Sequence, residues 1–344
     1  MIDLALQNSG ALEMRADPHL NAQLQRRYSD AAAILQAIGR SSAGFKLPSD
    51  NYLLLASHPL AQGLLAFNRG QVSEERAGQM AAELAALSDN ALQSLASGHL
   101  ALLQSQCLLP ETETRGEAIH SLSDSPLKED WIRQELQILE EACGADFLSF
   151  IGIIKTLTVV EIPGKGQLPY FSGADTNCWG AMHASAPRDE FVFAETVTHE
   201  AAHTWLFLVE EVTPLAERCW DGNNCLSPWR EDARPIGGVI HGVFVFSCAA
   251  LVLQRLLGFY QNADVELRGR VEKRICRLVS QVEAALIELS NSPILTDTGL
   301  AIVETTAERA KSVAATVENG WLAEARATVQ REMDAKRTLL VVRR

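Results

Sequence analysis

From Glu190 to Thr213 the chain carries neither glycine nor proline, and apolar residues fall on most sides: Phe191, Val192, Phe193, Val197, Trp205, Leu206, Phe207 and Leu208. That pattern predicts a helix buried nearly all round. Inside it stands His199-Glu200-Ala201-Ala202-His203, a His-Glu-x-x-His motif. On a helix, i and i+4 differ by about 40° in azimuth and about 6 Å in rise. The two imidazoles therefore point the same way, at the spacing where two neutral ring nitrogens can share one transition metal. Glu200 falls about 100° round the helix, beside such a metal, where a carboxylate can steer a water or a ligand. A chance match built from structural residues is the plain alternative. Yet two histidines and a glutamate are costly to bury in an apolar helix unless paired, and a metal removes that cost.

The whole chain sets the bounds. Its 344 residues allow one large domain or two, and 47% hydrophobic content is ample for a core. A net charge of −13 argues against a nucleic-acid or anionic-membrane surface. Arg268 to Arg277, the one basic cluster, alternates with apolar residues as a solvated helix face does. Seven cysteines with no CxxC pair suit a reducing cytoplasm better than a disulfide framework. Cys219 and Cys225 lack two further zinc ligands and read as free thiols. Met1 to Leu20 has no apolar core of a signal peptide. The apolar run Ile236 to Leu253 is long enough to suggest a membrane span. With His241 inside it and Arg255 close behind, it reads better as a buried helix packed on the metal helix.

In order, residues 10–45, 50–70 and 72–107 read as helices. A polar stretch, Pro110 to Pro126, reads as a loop, and 128–144 as another helix. His19, His58, His99 and His120 are isolated and read as surface or capping residues. From Phe147 to Ile162 the residues turn β-branched and predict at least one strand. Leu168 to Ser185 suggests further strands with turns at Gly173 and Asn177. After the metal helix come a turn-rich loop, Pro214 to Pro228, and helices at about 236–260, 264–290, 297–316 and 320–338. The expected fold is α+β and predominantly α-helical. A small β-sheet precedes a zincin-like HExxH helix, and the N- and C-terminal parts are helical. Residues 1–125 form a helical region and 126–344 the metal-binding catalytic region, with one continuous domain as the alternative.

A catalytic metal wants a third protein ligand. The metzincin pattern would need Gly at 206 and His at 209; the chain has Leu206 and Val209. For a downstream glutamate ligand, Glu210 and Glu211 lie too close, and Glu217 and Glu231 fall in loop. His241, flanked by Gly237, Gly238 and Gly242, is the third candidate. A satisfied core histidine is its bland reading; against that, the glycines would let the helix approach closely. Arg230 and Arg234 precede it. Either they make surface salt bridges with Glu231 and Asp232, or one grips a carboxylate bidentately beside the metal. His183 reads as structural or substrate-facing, and Tyr170, Ser172 and Trp179 as a possible peptide groove. Trp229 is expected to pack under the arginine loop.

His199-Glu-Ala-Ala-His203 with Ser227-Pro-Trp-Arg230, Arg234-Pro235 and His241-Gly242 resembles the HExxH-motif proteins of ribosomal peptide natural-product clusters, over about residues 145–260. That resemblance implies an iron(II)- and 2-oxoglutarate-dependent oxygenase that hydroxylates a side chain, often at the β-carbon, of a precursor peptide. It implies that His199, His203 and His241 hold the metal and that Arg230 or Arg234, with Arg230 favoured, anchors 2-oxoglutarate. Glu200 would then orient a ligand or water. The alternative is a zinc metallopeptidase with the same histidines and Glu200 as general base. A third reading is a metal that merely staples two helices.

Overall fold

The computed structural model describes residues 18–41, 55–87, 100–103, 105, 108–109, 120–121, 127–161, 171–222, 225–260, 264–290 and 294–342. The fold is predominantly α-helical with a small mixed sheet, an α+β architecture as expected. In chain order the elements are helices α1 (Pro18–Ser41), α2 (Pro59–Asn68) and α3 (Glu74–Ala85), then strands β1 (Ala101–Leu102) and β2 (His120–Ser121). Helices α4 (Glu129–Cys143) and α5 (Ala145–Ile151) follow, then β3 (Thr156–Glu161), β4 (Ser172–Ala174) and β5 (Ala181–Ala184). The rest is helical: α6 (Glu190–Val212), α7 (Ile236–Phe259), α8 (Val265–Ser290), α9 (Asp297–Ala314) and α10 (Asn319–Val342).

The chain divides into two compact units. One comprises Pro18–Ile138 and Ile151–Thr196; the other holds Leu139–Phe150 and Val197–Arg344. In the first, α1, α2 and α3 pack through Leu35, Leu60, Leu64, Met80 and Leu84. The sheet runs β1-β3-β5-β4, parallel between β1, β3 and β5 and antiparallel between β5 and β4, with β2 pairing antiparallel to the end of β3. His58 caps α2, its Nδ1 accepting from Leu60 N–H at 3.2 Å, which bears out the capping role. It is nonetheless buried, whereas His19 is exposed.

Four local expectations are corrected. The helix expected through 107 gives way at Ala101–Leu102 to a strand, because Ala101 N–H and Leu103 N–H donate to Lys155 and Leu157 carbonyls. Residues 147–151 are helical, and the strand begins only at Thr156; Phe147 and Phe150 are buried on α5. Gly173 lies inside β4, not in a turn: a Cβ there would stand 2.6 Å from His183 Nε2 on the paired strand β5. Part of the expected loop at 110–126 is strand β2; most of that stretch lies outside the described residues, as do His99 and Tyr170.

In the second unit α7 is the central element, packed against α8 and α9, with α10 against α8. Its length and hydropathy would suit a membrane span, but 83% of the apolar window is buried inside the protein, as expected of a core helix. Val239, Ile240, Val243, Phe244 and Leu253 supply that burial. Trp205 of α6 is fully buried, and its indole N–H donates to the Phe150 carbonyl at 2.8 Å.

Candidate metal centre

Between residues 197 and 210, helix α6 is buried at every position except His199, His203, Phe207 and Glu210. Those four follow one another at spacings of four, four and three, which puts them on a single stripe. The His-Glu-x-x-His histidines thus occupy the accessible face of an otherwise buried helix. Glu200 is on the buried part, 1% exposed.

Three imidazoles meet there. His199 Nε2 lies 3.1 Å from His203 Nε2, and His203 Nδ1 lies 3.0 Å from Nδ1 of His241, which α7 brings in. His241 Nε2 in turn lies 3.1 Å from Glu210 Oε2. Glu210 Oε1 accepts from Trp220 Nε1–H at 3.0 Å and from the Cys219 thiol at 3.6 Å. Aromatic rings wall the cluster: Phe207 and Trp220 against His241, and Phe246 against His199 at 4.6 Å.

Burial among these rings holds His199 down at about 3, with Arg274 and His241 adding to the lowering. Burial likewise holds His203 well below the ordinary histidine range, reinforced by His199 and His241. Both rings are therefore neutral at pH 7, which is the form that binds metals. Two ligands of one cation at metal–nitrogen bonds of about 2.1 Å stand about 3 Å apart, so the His199–His203 pair is spaced for a shared ion. His203, however, turns its second nitrogen to His241. Among the described residues no three His, Cys, Asp or Glu side chains close on one ion as they stand. The donor chemistry and pairwise spacing fit a metal; the triad is present as a chain of contacts.

The loop before α7 is held at its ends by Cys225 and Arg234, whose backbones exchange hydrogen bonds of 3.0 and 2.8 Å. Lys336 donates to the Ser227 carbonyl at 2.8 Å and Gln281 to that of Pro228 at 3.4 Å. The loop lays Trp229 on α7. A Cβ on Gly242 would stand 2.5 Å from that ring, and one on Gly237 would stand 2.8 Å from Cys219. The glycines beside His241 admit the loop and Trp220, not the metal helix. Trp229 stacks on Phe246, which itself touches His199. Arg234 pairs with Asp232 at 3.5 Å on the surface, the salt-bridge reading, while Arg230 is half-buried. Arg274, on the basic stretch read as a solvated face, is exposed there and also acts on His199. Cys219 and Cys225 are free thiols, as expected.

His183 and Trp179 lie in the other unit. His183 is buried on β5 and stacked on Phe171; Trp179 is 5% exposed beneath the Arg27 guanidinium. Trp179 therefore has no free face to line a groove. Glu210 is the residue that sequence reasoning missed. As a direct ligand it stands too close to the motif, yet its place seven residues after His203 puts it on the motif's face.

No family model and no curated protein sequence matches the chain.

Proposed function

We propose that the chain is a cytoplasmic iron(II)- and 2-oxoglutarate-dependent oxygenase that hydroxylates a side chain of a ribosomally made peptide. The observation that carries the metal-dependent part is the contact of His203 with both His199, its neighbour on the accessible stripe of α6, and His241, buried on α7. The oxidative part rests on the resemblance in the residues around Ser227 to Gly242. His199, His203 and His241 would hold the ion, the first two through the Nε2 atoms that stand 3.1 Å apart. Bound there, ferrous iron with 2-oxoglutarate and dioxygen supplies an oxidant that converts C–H to C–OH while releasing succinate and carbon dioxide. Arg230 would pair with a carboxylate of 2-oxoglutarate, as a planar guanidinium does bidentately. Phe246 against His199, and Phe207 and Trp220 against His241, give the cluster apolar neighbours, beside which charge interactions are stronger than in water.

The test is succinate release from 2-oxoglutarate under air with iron(II) and ascorbate, with and without short peptides. Release that requires iron and is lost in His203→Ala supports the reading; none under any condition sinks it. A zinc peptidase is the second reading, resting on the presence of Glu200 within the motif. Glu200→Gln would abolish proteolysis but only reduce hydroxylation.

A further inference from the structure

We infer that Arg309 anchors a binding site for a small monovalent anion, of the size and charge of chloride, between α7 and α9. The inference does not depend on the metal reading. Arg309 stands on α9 and is 5% exposed. Its guanidinium stays charged at every physiological pH. A charge so buried is costly unless an opposite charge lies beside it. No carboxylate of the described residues pairs with it. Glu304 and Glu308 of the same helix are exposed, Glu308 beside Lys311, and Glu283 and Glu288 of α8 pair with Arg326 and Arg337. Cys248, in contact with Arg309, does not supply the charge either: burial pushes its thiol up from the ordinary range, against the pull of the guanidinium. The Phe244 ring, with its centroid 5.4 Å from the guanidinium carbon, offers a π face and compensates only in part.

The unmet donors define the ligand. Arg309 Nη1 donates to Ser247 Oγ at 2.6 Å and to the Cys248 sulfur at 3.3 Å. Ser247 Oγ in turn donates to the Phe244 carbonyl at 2.8 Å. Nε and Nη2 are buried and meet no acceptor among the described residues. These two nitrogens share one edge of the guanidinium, with N–H bonds side by side, and such a fork grips an anion. One turn earlier on the same buried face of α9, the Thr306 hydroxyl is also buried and unpartnered, and it can donate. A water could take these hydrogen bonds but would leave the charge unbalanced; an anion answers both. A single negative charge cancels the guanidinium, whereas a divalent anion would only reverse the sign.

The test is thermal unfolding of the full chain at fixed ionic strength, with bulky sodium gluconate replaced stepwise by sodium chloride. A ligand that binds only the folded chain raises the midpoint with the logarithm of its concentration, by about 3–6 °C per tenfold once the site is mostly filled. Arg309→Met, of similar length and without charge, should lose this dependence. Thr306→Val keeps the shape and removes one donor, so its response should begin at about tenfold higher chloride or more; it serves as the test if Arg309→Met does not fold. Crystals grown in sodium bromide give a second readout, an anomalous-scattering peak within hydrogen-bond reach of Nε and Nη2. A midpoint indifferent to chloride, or a response unchanged in the variants, would overturn the inference. So would bromide crystals in which that edge of Arg309 meets only water.

Discussion

Replacing Gly242 with alanine should destabilise the protein, although glycine-to-alanine in a helix interior ordinarily stabilises by about 1 kcal/mol. The reason is contact. The new methyl would stand 2.5 and 2.7 Å from Cζ3 and Cε3 of Trp229, against about 3.5–4 Å for carbon atoms at rest. The indole must retreat by about 1 Å. It cannot do so alone, because it stacks on Phe246 with centroids 4.9 Å apart, and Phe246 abuts His199. Overpacking of this kind costs about 1–3 kcal/mol, so the net change is a loss of about 0–2 kcal/mol once the helix gain is subtracted. Gly258, near the end of the same helix, is the control: nothing lies within 4 Å of its would-be Cβ. Gly258→Ala should therefore gain up to about 1 kcal/mol. Urea unfolding followed by tryptophan fluorescence measures both. Shifts of the same sign and size would mean that Trp229 does not seat on α7 at Gly242.

Burial holds His58 and His183 down at about 4, His183 despite the opposing pull of Asp175. The unfolded chain then binds protons that the folded chain refuses. Stability present above about pH 6.5 is lost as pH falls toward 4, by about 3 kcal/mol for each histidine; unfolding midpoints flat across pH 7 to 4 would contradict this. Asp175→Asn breaks a buried pair with Arg76, 2.7 Å apart with both side chains nearly inaccessible. It should cost about 3–5 kcal/mol, read by thermal unfolding, and a neutral result would show the pair to be solvated. Arg230→Ala should raise the 2-oxoglutarate requirement at least tenfold, to about the cost of one charge-assisted contact, while Arg234→Ala, already tied to Asp232, should change it little; succinate release at varied 2-oxoglutarate checks the contrast.

The fold was legible where pattern and tertiary context agree. Helix α6 follows from a stretch free of breakers, and α7 from an apolar run with a histidine inside it. It was illegible where partners decide. Nothing in Ala101-Leu102 favours a strand; only the open edge of β3 makes it one. Phe147 to Ile151 has the residues of a strand but packs as a helix, since short apolar runs do not distinguish the two. At the site, the pairing of His199 with His203 was readable from helical geometry, and His241 from its isolation in an apolar helix. The contact of His241 with Glu210 is not legible in the same way, because the two residues lie on different helices. The spacing of Glu210 from His203 puts it on the motif's face, but the tie to Trp220 and Cys219 arises from the loop's path, which no local pattern encodes.

The central claim is that one divalent cation is held by the histidines of α6 and α7. Anaerobic titration with iron(II), with bound metal counted per chain, tests it most directly. The account predicts one equivalent in the wild type and loss of binding in His199→Ala and His203→Ala, with marked weakening in His241→Ala. A wild type that takes up no iron, or a His203→Ala protein that binds it undiminished, would contradict it.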